Sequence, residues 1–115
     1  EIGAQCPKLG DKLENVCSPQ LNSGFLAALV ETQSVMGCFV GHDHINDEIG
    51  NVRGIGLAYG RKTGEFSYHK LPSGGRVIEL TQDQFTFTTW ITTGTGQREA
   101  VGHWPVDFLP KPEKK

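Results

Sequence analysis

The sequence predicts a layered α/β fold, built mostly of β-strands with one helix. Apolar, β-branched and aromatic residues are concentrated in four segments, at 35–40, 54–60, 76–80 and 85–92, as is typical of strands. A fifth segment instead has apolar residues at the spacing of one helical face: Phe25, Leu26, Leu29 and Val30. The order of helix, strand, loop and three further strands is typical of the closing end of a layered fold.

The helix is expected to start after an N-cap at Asn22 or Ser23, because either side chain can accept a hydrogen bond from the first helical turn. Before it, residues 1–21 mix glycine, proline, cysteine and charges without periodicity, which indicates an irregular entry segment. Cys6 and Cys17 in this segment could form one disulfide. The third cysteine, Cys38, lies inside an apolar strand and is expected to act as a small buried residue.

The predicted strands after residue 53 have further features that indicate their packing and their ends. Three glycines within 54–60 suggest close approach of another part of the chain, and the polar residues 61–64 predict the turn that follows. In 85–92, alternation places Trp90 on the face opposite Phe87, either in the core between layers or in an exposed apolar patch. From residue 102 onward the chain carries three prolines and ends in charges, which predicts an irregular tail over the surface.

Length and charge exclude several classes of partner. At 115 residues the chain is one modest domain or part of one. With 11 Lys and Arg against 13 Asp and Glu, it lacks the broad basic surface that phosphate-backbone binding requires, so no nucleic acid is expected. No segment approaches the roughly 20 apolar residues that span a bilayer, so no membrane partner is expected either. The cellular compartment is not predicted.

The histidine loop, GHDH at residues 41–44, directly follows the strand 35–40. Alternate residues of an extended or tightly turned segment point to the same side, so His42 and His44 could reach two metal ions lying side by side. Two nearby side chains, Asn46 and Asp47, could orient the imidazole N–H groups, or they could form an Asx-type turn that ends the loop.

Three strings in order, GHDHIND at 41–47, YGRKTG at 59–64 and RVIEL at 76–80, resemble the C-terminal part of calcineurin-like metallophosphoesterases, in particular the branch related to purple acid phosphatases. The likeness runs from about residue 17 to 91. It implies a β-sandwich flanked by helices, with residues 1–101 as the C-terminal part of a phosphoesterase domain and residues 102–115 as the irregular tail.

The function that this resemblance implies is hydrolysis of phosphate esters by a binuclear centre of Fe, Zn or Mn. By the match, His42 would bind the second, divalent metal and His44 the first, while Asp43 between them would face outward. Two metal ions would lower the pKa of a bridging water and so supply hydroxide for in-line attack on the phosphate ester. Tyr59 and Arg61 could line the substrate mouth, although a packing role is equally compatible with the sequence.

The chain departs from the family pattern because no DxH, GDxxD or GNH[DE] motif precedes residue 42. The nearest string, GDKLE at 10–14, is taken as a chance match. We therefore expect this segment to be inactive alone, with the remainder of a parent domain as its partner. The alternative is a non-catalytic truncated module that acts through protein association, for example self-association through an open edge of the strand 35–40. The isolated His69 and His103 are expected to be ordinary surface or partly buried histidines.

Overall fold

Two β-sheets and one α-helix form the regular structure, in a computed structural model that describes residues 6–112. The elements in chain order are β1 (Lys8–Leu9), α1 (Phe25–Thr32), β2 (Gly37–Val40), β3 (Ile49–Val52), β4 (Ile55–Tyr59), β5 (Gly74–Leu80), β6 (Phe87–Thr93), β7 (Arg98–Trp104) and a 3-10 helix, Val106–Phe108. The predicted class, mostly strands with a single α-helix, is confirmed. Among the residues described, no helix combines the length and the apolar character needed to cross a membrane.

The first sheet has the strand order β1-β3-β4-β2, and β2 runs parallel to β4. The sequence predicted β2 and β4 but missed β3, because its glycine and asparagine have low strand propensity. A two-residue turn joins β3 to β4, and Arg53 and Gly54 in it both have positive φ values, 52° and 85°. Such turns match the twist of the strands they connect. The edge of β2 away from β4 has no strand partner among residues 6–112.

The second sheet has the order β5-β6-β7, with both pairs antiparallel. Its central strand starts at Phe87, whereas the sequence predicted residue 85 as the start, and Phe85 is 59% exposed. The last strand, β7, was missed, and it includes residues 102–104 of the segment expected to be irregular. The start of the tail is therefore regular, because β7 continues through residue 102 to Trp104. The last three residues of the tail, 113–115, lie outside the described range, as do residues 1–5.

Residues of both sheets and of the 3-10 helix share one core of Ile49, Ala58, Phe87, Trp104 and Phe108. After β7 the 3-10 helix folds back so that Phe108 is fully buried against Trp104. Burial of these rings outweighs the disorder that the prolines suggest. A Cβ atom on Gly56 would lie 3.2 Å from the rings of Phe87 and Trp104, which confirms the expected close approach at this glycine, whereas Gly54 has no neighbour within 4 Å.

The predicted helix is present with eight residues, and none of them is fully buried. Gly24, in the left-handed conformation, occupies the N-cap position without a side-chain cap. Asn22 instead accepts a hydrogen bond from the Gly24 backbone N–H at 2.9 Å, so it stabilises the turn before the helix. The predicted N-caps are wrong because the chain turns through a glycine that needs no side-chain support.

The structure decides the state of the three cysteines and the position of Trp90. All three cysteines are free, so the Cys6–Cys17 bridge is not formed, and Cys38 is half-buried rather than fully buried. Trp90 is buried, and the guanidinium carbon of Arg98 lies 4.1 Å from its ring centroid. Because the ring is buried and in cation–π contact, Trp90 is not part of an exposed apolar patch.

Replacement of Phe108 by alanine tests the role of the folded-back tail. We expect Phe108→Ala to lower the free energy of unfolding by about 3–5 kcal/mol, because it leaves a cavity between the sheets. The matched control is Val106→Ala in the same 3-10 helix, where the side chain is 66% exposed and little change is expected. Urea denaturation of both variants gives the measurement, and equal stabilities would show that the tail does not belong to the core.

Candidate functional site

The histidine loop leaves the first sheet at the edge where β4 also ends. β2 and β4 are parallel, with Val40 opposite Tyr59, and the Gly60 backbone N–H donates to the Val40 carbonyl at 2.7 Å. Residues 41–48 after β2 and residues 60–64 after β4 therefore start side by side. The carboxyl ends of adjacent parallel strands are where α/β folds gather functional side chains.

Asp43 is the buried centre of this loop, not the outward-facing residue expected from the resemblance. His42 takes a left-handed conformation, φ 78°, and Asp43 is only 8% exposed. Its Oδ2 atom accepts hydrogen bonds from the Tyr59 hydroxyl at 2.6 Å and from the Cys17 backbone N–H at 3.1 Å. These bonds, that of Tyr59 above all, lower the pKa of Asp43, so the carboxylate is ionised at neutral pH.

The two histidine rings have different surroundings. The His42 side chain is 76% exposed, and its Nδ1 atom lies 3.1 Å from Asp43 Oδ1. The His44 ring stacks on Tyr68 with centroids 4.3 Å apart, and its Nδ1 atom lies 3.2 Å from the Tyr68 carbonyl oxygen. Because a carbonyl only accepts, the His44 Nδ1 atom must donate, which leaves the lone pair of the neutral ring on Nε2. The same holds for His42 when its Nδ1 donates to the ionised Asp43.

Asn46 and Asp47 are buried, and they hold the entry segment rather than the imidazoles. Asn46 Oδ1 accepts from the backbone N–H groups of Leu13 and Glu14, both at 2.9 Å. Asp47 Oδ1 accepts from the Asp11 backbone N–H at 2.6 Å. Among the described residues, neither side chain contacts an imidazole or caps its own backbone turn. Both expectations for this pair are therefore wrong, because the side chains bind a segment more than 30 positions earlier.

The string at residues 10–14, taken as a chance match, is thus part of the site's framework. A Cβ atom on Gly10 would lie 2.7 Å from the Asp47 carbonyl oxygen, so only glycine permits this approach. Glu14 accepts from the Ile45 backbone N–H at 3.0 Å and, through its other oxygen, from the Tyr68 hydroxyl at 2.9 Å. The first of these bonds is the main cause that lowers the pKa of Glu14. No local pattern indicates this role of Glu14, because its partners Ile45 and Tyr68 are 31 and 54 positions away along the chain.

Two arginines close the network behind the loop. Arg61 is buried and donates through Nε to Asp47 Oδ2 at 3.0 Å and through Nη1 to the Pro72 carbonyl at 2.8 Å. Arg76, from β5, donates at 2.6 Å to the carbonyl oxygens of both Tyr59 and Asp47, and burial lowers its pKa. The polar atoms of Tyr59 and Arg61 are thus bonded inside the protein, which supports the packing alternative over a place at a substrate mouth.

One group of potential metal ligands stands out in the described part of the chain: Cys17, His42 and Asp43, whose donor atoms all lie within 4.8 Å of one another. His44 is not a member of this group. The structure thus brings one predicted ligand together with two residues that were not predicted. Cys17 is 26 positions from Asp43, and no local pattern in the sequence relates them.

The other two histidines are exposed, as expected. The Nδ1 atom of His69 lies 3.2 Å from the Ser67 carbonyl, and that of His103 lies 3.1 Å from the Thr88 hydroxyl.

Beside the histidine loop, a cleft of about 730 Å³ runs over the first sheet between Lys8, Lys12, Val40, Glu48 and Leu57. Its lining joins apolar strand residues to charged groups of both signs.

Comparison with known proteins identifies relatives over most of this region. The chain is 37% identical over 83 residues to the probable inactive purple acid phosphatase 14 of Arabidopsis thaliana, a match that covers 70% of the chain and 21% of the relative. It is also 39% identical over 66 residues to the probable inactive purple acid phosphatase 29 and 38% identical over 63 residues to the probable inactive purple acid phosphatase 28 of the same plant. These matches cover 57% and 55% of the chain, and 16% and 15% of the relatives. No family model matches the chain, and no solved structure matches it significantly.

The chain is therefore related to the purple acid phosphatases over part of its length. It matches about a fifth or less of the length of the curated relatives.

The Tyr59 hydroxyl provides a test of the buried carboxylate. Burial, and next its bond to Asp43, raise the pKa of Tyr59 to about 12. The unfolded chain would lose this proton near the ordinary value of about 10. The stability contribution is therefore complete below pH 10 and is lost as the pH rises to about 12.

We expect tyrosinate absorbance to rise in a late step near pH 12 that Tyr59→Phe removes and Tyr68→Phe keeps. Far-ultraviolet circular dichroism recorded in parallel verifies that the chain is folded during the titration. A complete rise near pH 10 in the folded protein would contradict the buried hydrogen bond between Tyr59 and Asp43.

Proposed function

We propose that this chain supplies His42 and His44 as ligands of a binuclear metal centre that hydrolyses phosphate esters within a longer protein. The metals are Fe, Zn or Mn, and the substrate is a phosphate ester. The remainder of the domain provides the other ligands, so the segment alone is inactive.

The observation that carries this proposal is the hydrogen bonding of the two rings. Each Nδ1 atom has an oxygen neighbour, Asp43 Oδ1 for His42 and the Tyr68 carbonyl for His44. Histidine ligands of metals typically donate one ring N–H to a carboxylate or carbonyl, which fixes the tautomer and leaves the other nitrogen free to bind. This arrangement supports metal binding through both Nε2 atoms.

The donor chemistry fits the proposed metals. Neutral imidazole suits Zn, Fe and Mn centres, and His42 itself takes the left-handed conformation close after the end of β2. His42 and His44 would help to hold two metal ions, which would supply charge stabilisation for the phosphate and an activated water molecule. The role of this chain's residues is to hold two rings in a fixed orientation, with Tyr68 stacked on His44 and Asp43 beside His42.

A metal and activity assay of the longest open reading frame that includes this chain tests the proposal. We expect about two metal ions per chain by elemental mass spectrometry, together with hydrolysis of p-nitrophenyl phosphate. His42→Ala and His44→Ala should each lower the metal content and abolish hydrolysis, because each removes one ligand. The control is His103→Ala, an exposed histidine on β7 that should leave both unchanged.

A protein without stoichiometric metal, or hydrolysis that survives His42→Ala, would contradict a binuclear centre built on these ligands. Metal content and activity must both respond to the same two variants for the proposal to hold.

A second candidate is a non-catalytic module that acts through protein association. All three relatives are named as probable inactive phosphatases, which favours this reading. In the described range β2 pairs on one side only, with β4, and Val40 at its end is 51% exposed. An unpaired strand edge with apolar side chains can add a strand from another chain.

Light scattering after size-exclusion chromatography distinguishes this candidate. If β2 mediates association, the 115-residue chain forms dimers or larger species, and Val40→Lys shifts it to monomer because a charge at the edge opposes pairing. Val106→Lys, at an exposed site on the 3-10 helix, should leave the distribution unchanged. A monomer at high protein concentration would exclude self-association through this edge.

A further inference from the structure

We propose that Cys17, His42 and Asp43 form a second, mononuclear site for a divalent cation that prefers thiolate and imidazole ligands, above all Zn²⁺. The ligand atoms are Cys17 Sγ, His42 Nδ1 and Asp43 Oδ1. This site goes beyond the proposed function, since it uses two residues outside the histidine pair and does not depend on a binuclear centre.

The geometry of His42 and Asp43 already matches a shared metal ion. Zinc bonds to nitrogen and oxygen of about 2.0–2.1 Å at tetrahedral angles place the two donor atoms roughly 3.3 Å apart. The observed Nδ1 to Oδ1 distance is 3.1 Å. With a Zn–S bond of about 2.3 Å, sulfur and nitrogen would be roughly 3.6 Å apart. Because the three donors lie within 4.8 Å of one another, about one ångström of movement by the exposed Cys17 side chain completes the site.

Asp43 is prepared for this role by its hydrogen bonds. Its Oδ2 atom accepts from the Tyr59 hydroxyl and from the Cys17 N–H, while its Oδ1 atom faces His42. The carboxylate is therefore held in one orientation, with one oxygen fixed and the other directed at the site. Ligating carboxylates in metal centres are typically oriented by such bonds from outside the ligand set.

Cys17 is held near the loop by the backbone rather than by chance proximity. Its own N–H is bonded to Asp43, and three residues earlier Glu14 is fixed by Asn46 and by the Ile45 N–H. Its thiol is free and exposed. A coordinated thiol binds as the thiolate, and a thiolate, imidazole and carboxylate set favours Zn²⁺ over Mg²⁺ or Ca²⁺. Three protein ligands leave the fourth tetrahedral position open to water.

This site and the binuclear centre use opposite nitrogens of the same ring. A metal on His42 Nδ1 replaces the proton that this atom otherwise donates to Asp43, and the neutral ring then carries its proton on Nε2. His42 therefore serves only one of the two sites at a time. Occupation of the Cys17 site would remove one ligand from the phosphatase centre.

Cobalt substitution tests the site in the 115-residue chain. Titration with Co²⁺ should give one equivalent bound, with tetrahedral d–d bands and a thiolate-to-cobalt charge-transfer band, and Zn²⁺ should displace it. Cys17→Ser should remove the charge-transfer band and weaken Zn²⁺ binding by about tenfold or more. His42→Ala should also weaken it, whereas Cys38→Ser and His44→Ala should keep both band and affinity. Circular dichroism verifies that each variant is folded.

The outcomes separate this proposal from the phosphatase centre. A charge-transfer band that survives His44→Ala and disappears in Cys17→Ser supports the three-ligand site. Cobalt binding without a thiolate band, an unchanged Zn²⁺ affinity in Cys17→Ser, or equal losses in His42→Ala and His44→Ala would overturn it. The last outcome would leave the proposed binuclear centre standing.

Discussion

The buried carboxylate of Asp47 is the constraint on which the rest of the structure depends. It accepts a hydrogen bond from the Asp11 N–H and forms an ion pair with Arg61, while the Asp47 carbonyl accepts from Arg76 of the second sheet. The Arg61 and Asp47 side chains are 4% and 2% exposed. Loss of one partner from such a pair typically costs about 3–5 kcal/mol, because the other charge stays buried and uncompensated.

This network explains why the histidine loop has a defined shape. Asp47 and Asn46 at its end bind the entry segment, Asp43 in its middle binds Tyr59 and Cys17, and Arg76 joins it to the second sheet. Every anchor is a hydrogen bond to a buried polar atom, and no buried side-chain nitrogen or oxygen in the described range is left without a partner. Such fully bonded networks stay rigid in a low-dielectric interior. The histidines lie on a fixed framework rather than on a mobile loop.

The same framework is compatible with both metal sites proposed for the histidine loop. The relatives are phosphatases by family and are named probable inactive, and the matches span about a fifth or less of their length. A loop held by buried contacts keeps its geometry whether or not a catalytic centre is assembled around it. The neighbouring Cys17 then offers His42 a different partner. Competition between the two proposed sites for His42 would be decided by metal identity and availability.

The sequence by itself determined the fold class, the helix, four of the strands and the relation to purple acid phosphatases, because these features are carried by local periodicity and by contiguous strings such as GHDHIND. It could not give β1, β3 or β7, whose residues have weak local preference and become strands only through pairing with β3, β4 and β6 respectively. Nor could it show that Phe108 enters the core, since that depends on packing against a ring on another strand.

Only the tertiary structure decided which residues surround the histidine loop. Asp43 turns inward because Tyr59 ends the neighbouring parallel strand, and Cys17 and Glu14 arrive from more than 20 positions away. Sequence patterns report neighbours along the chain, whereas metal ligands and their hydrogen-bond partners are neighbours in space. The physical reason is that buried polar groups must find partners wherever the fold brings a complementary atom.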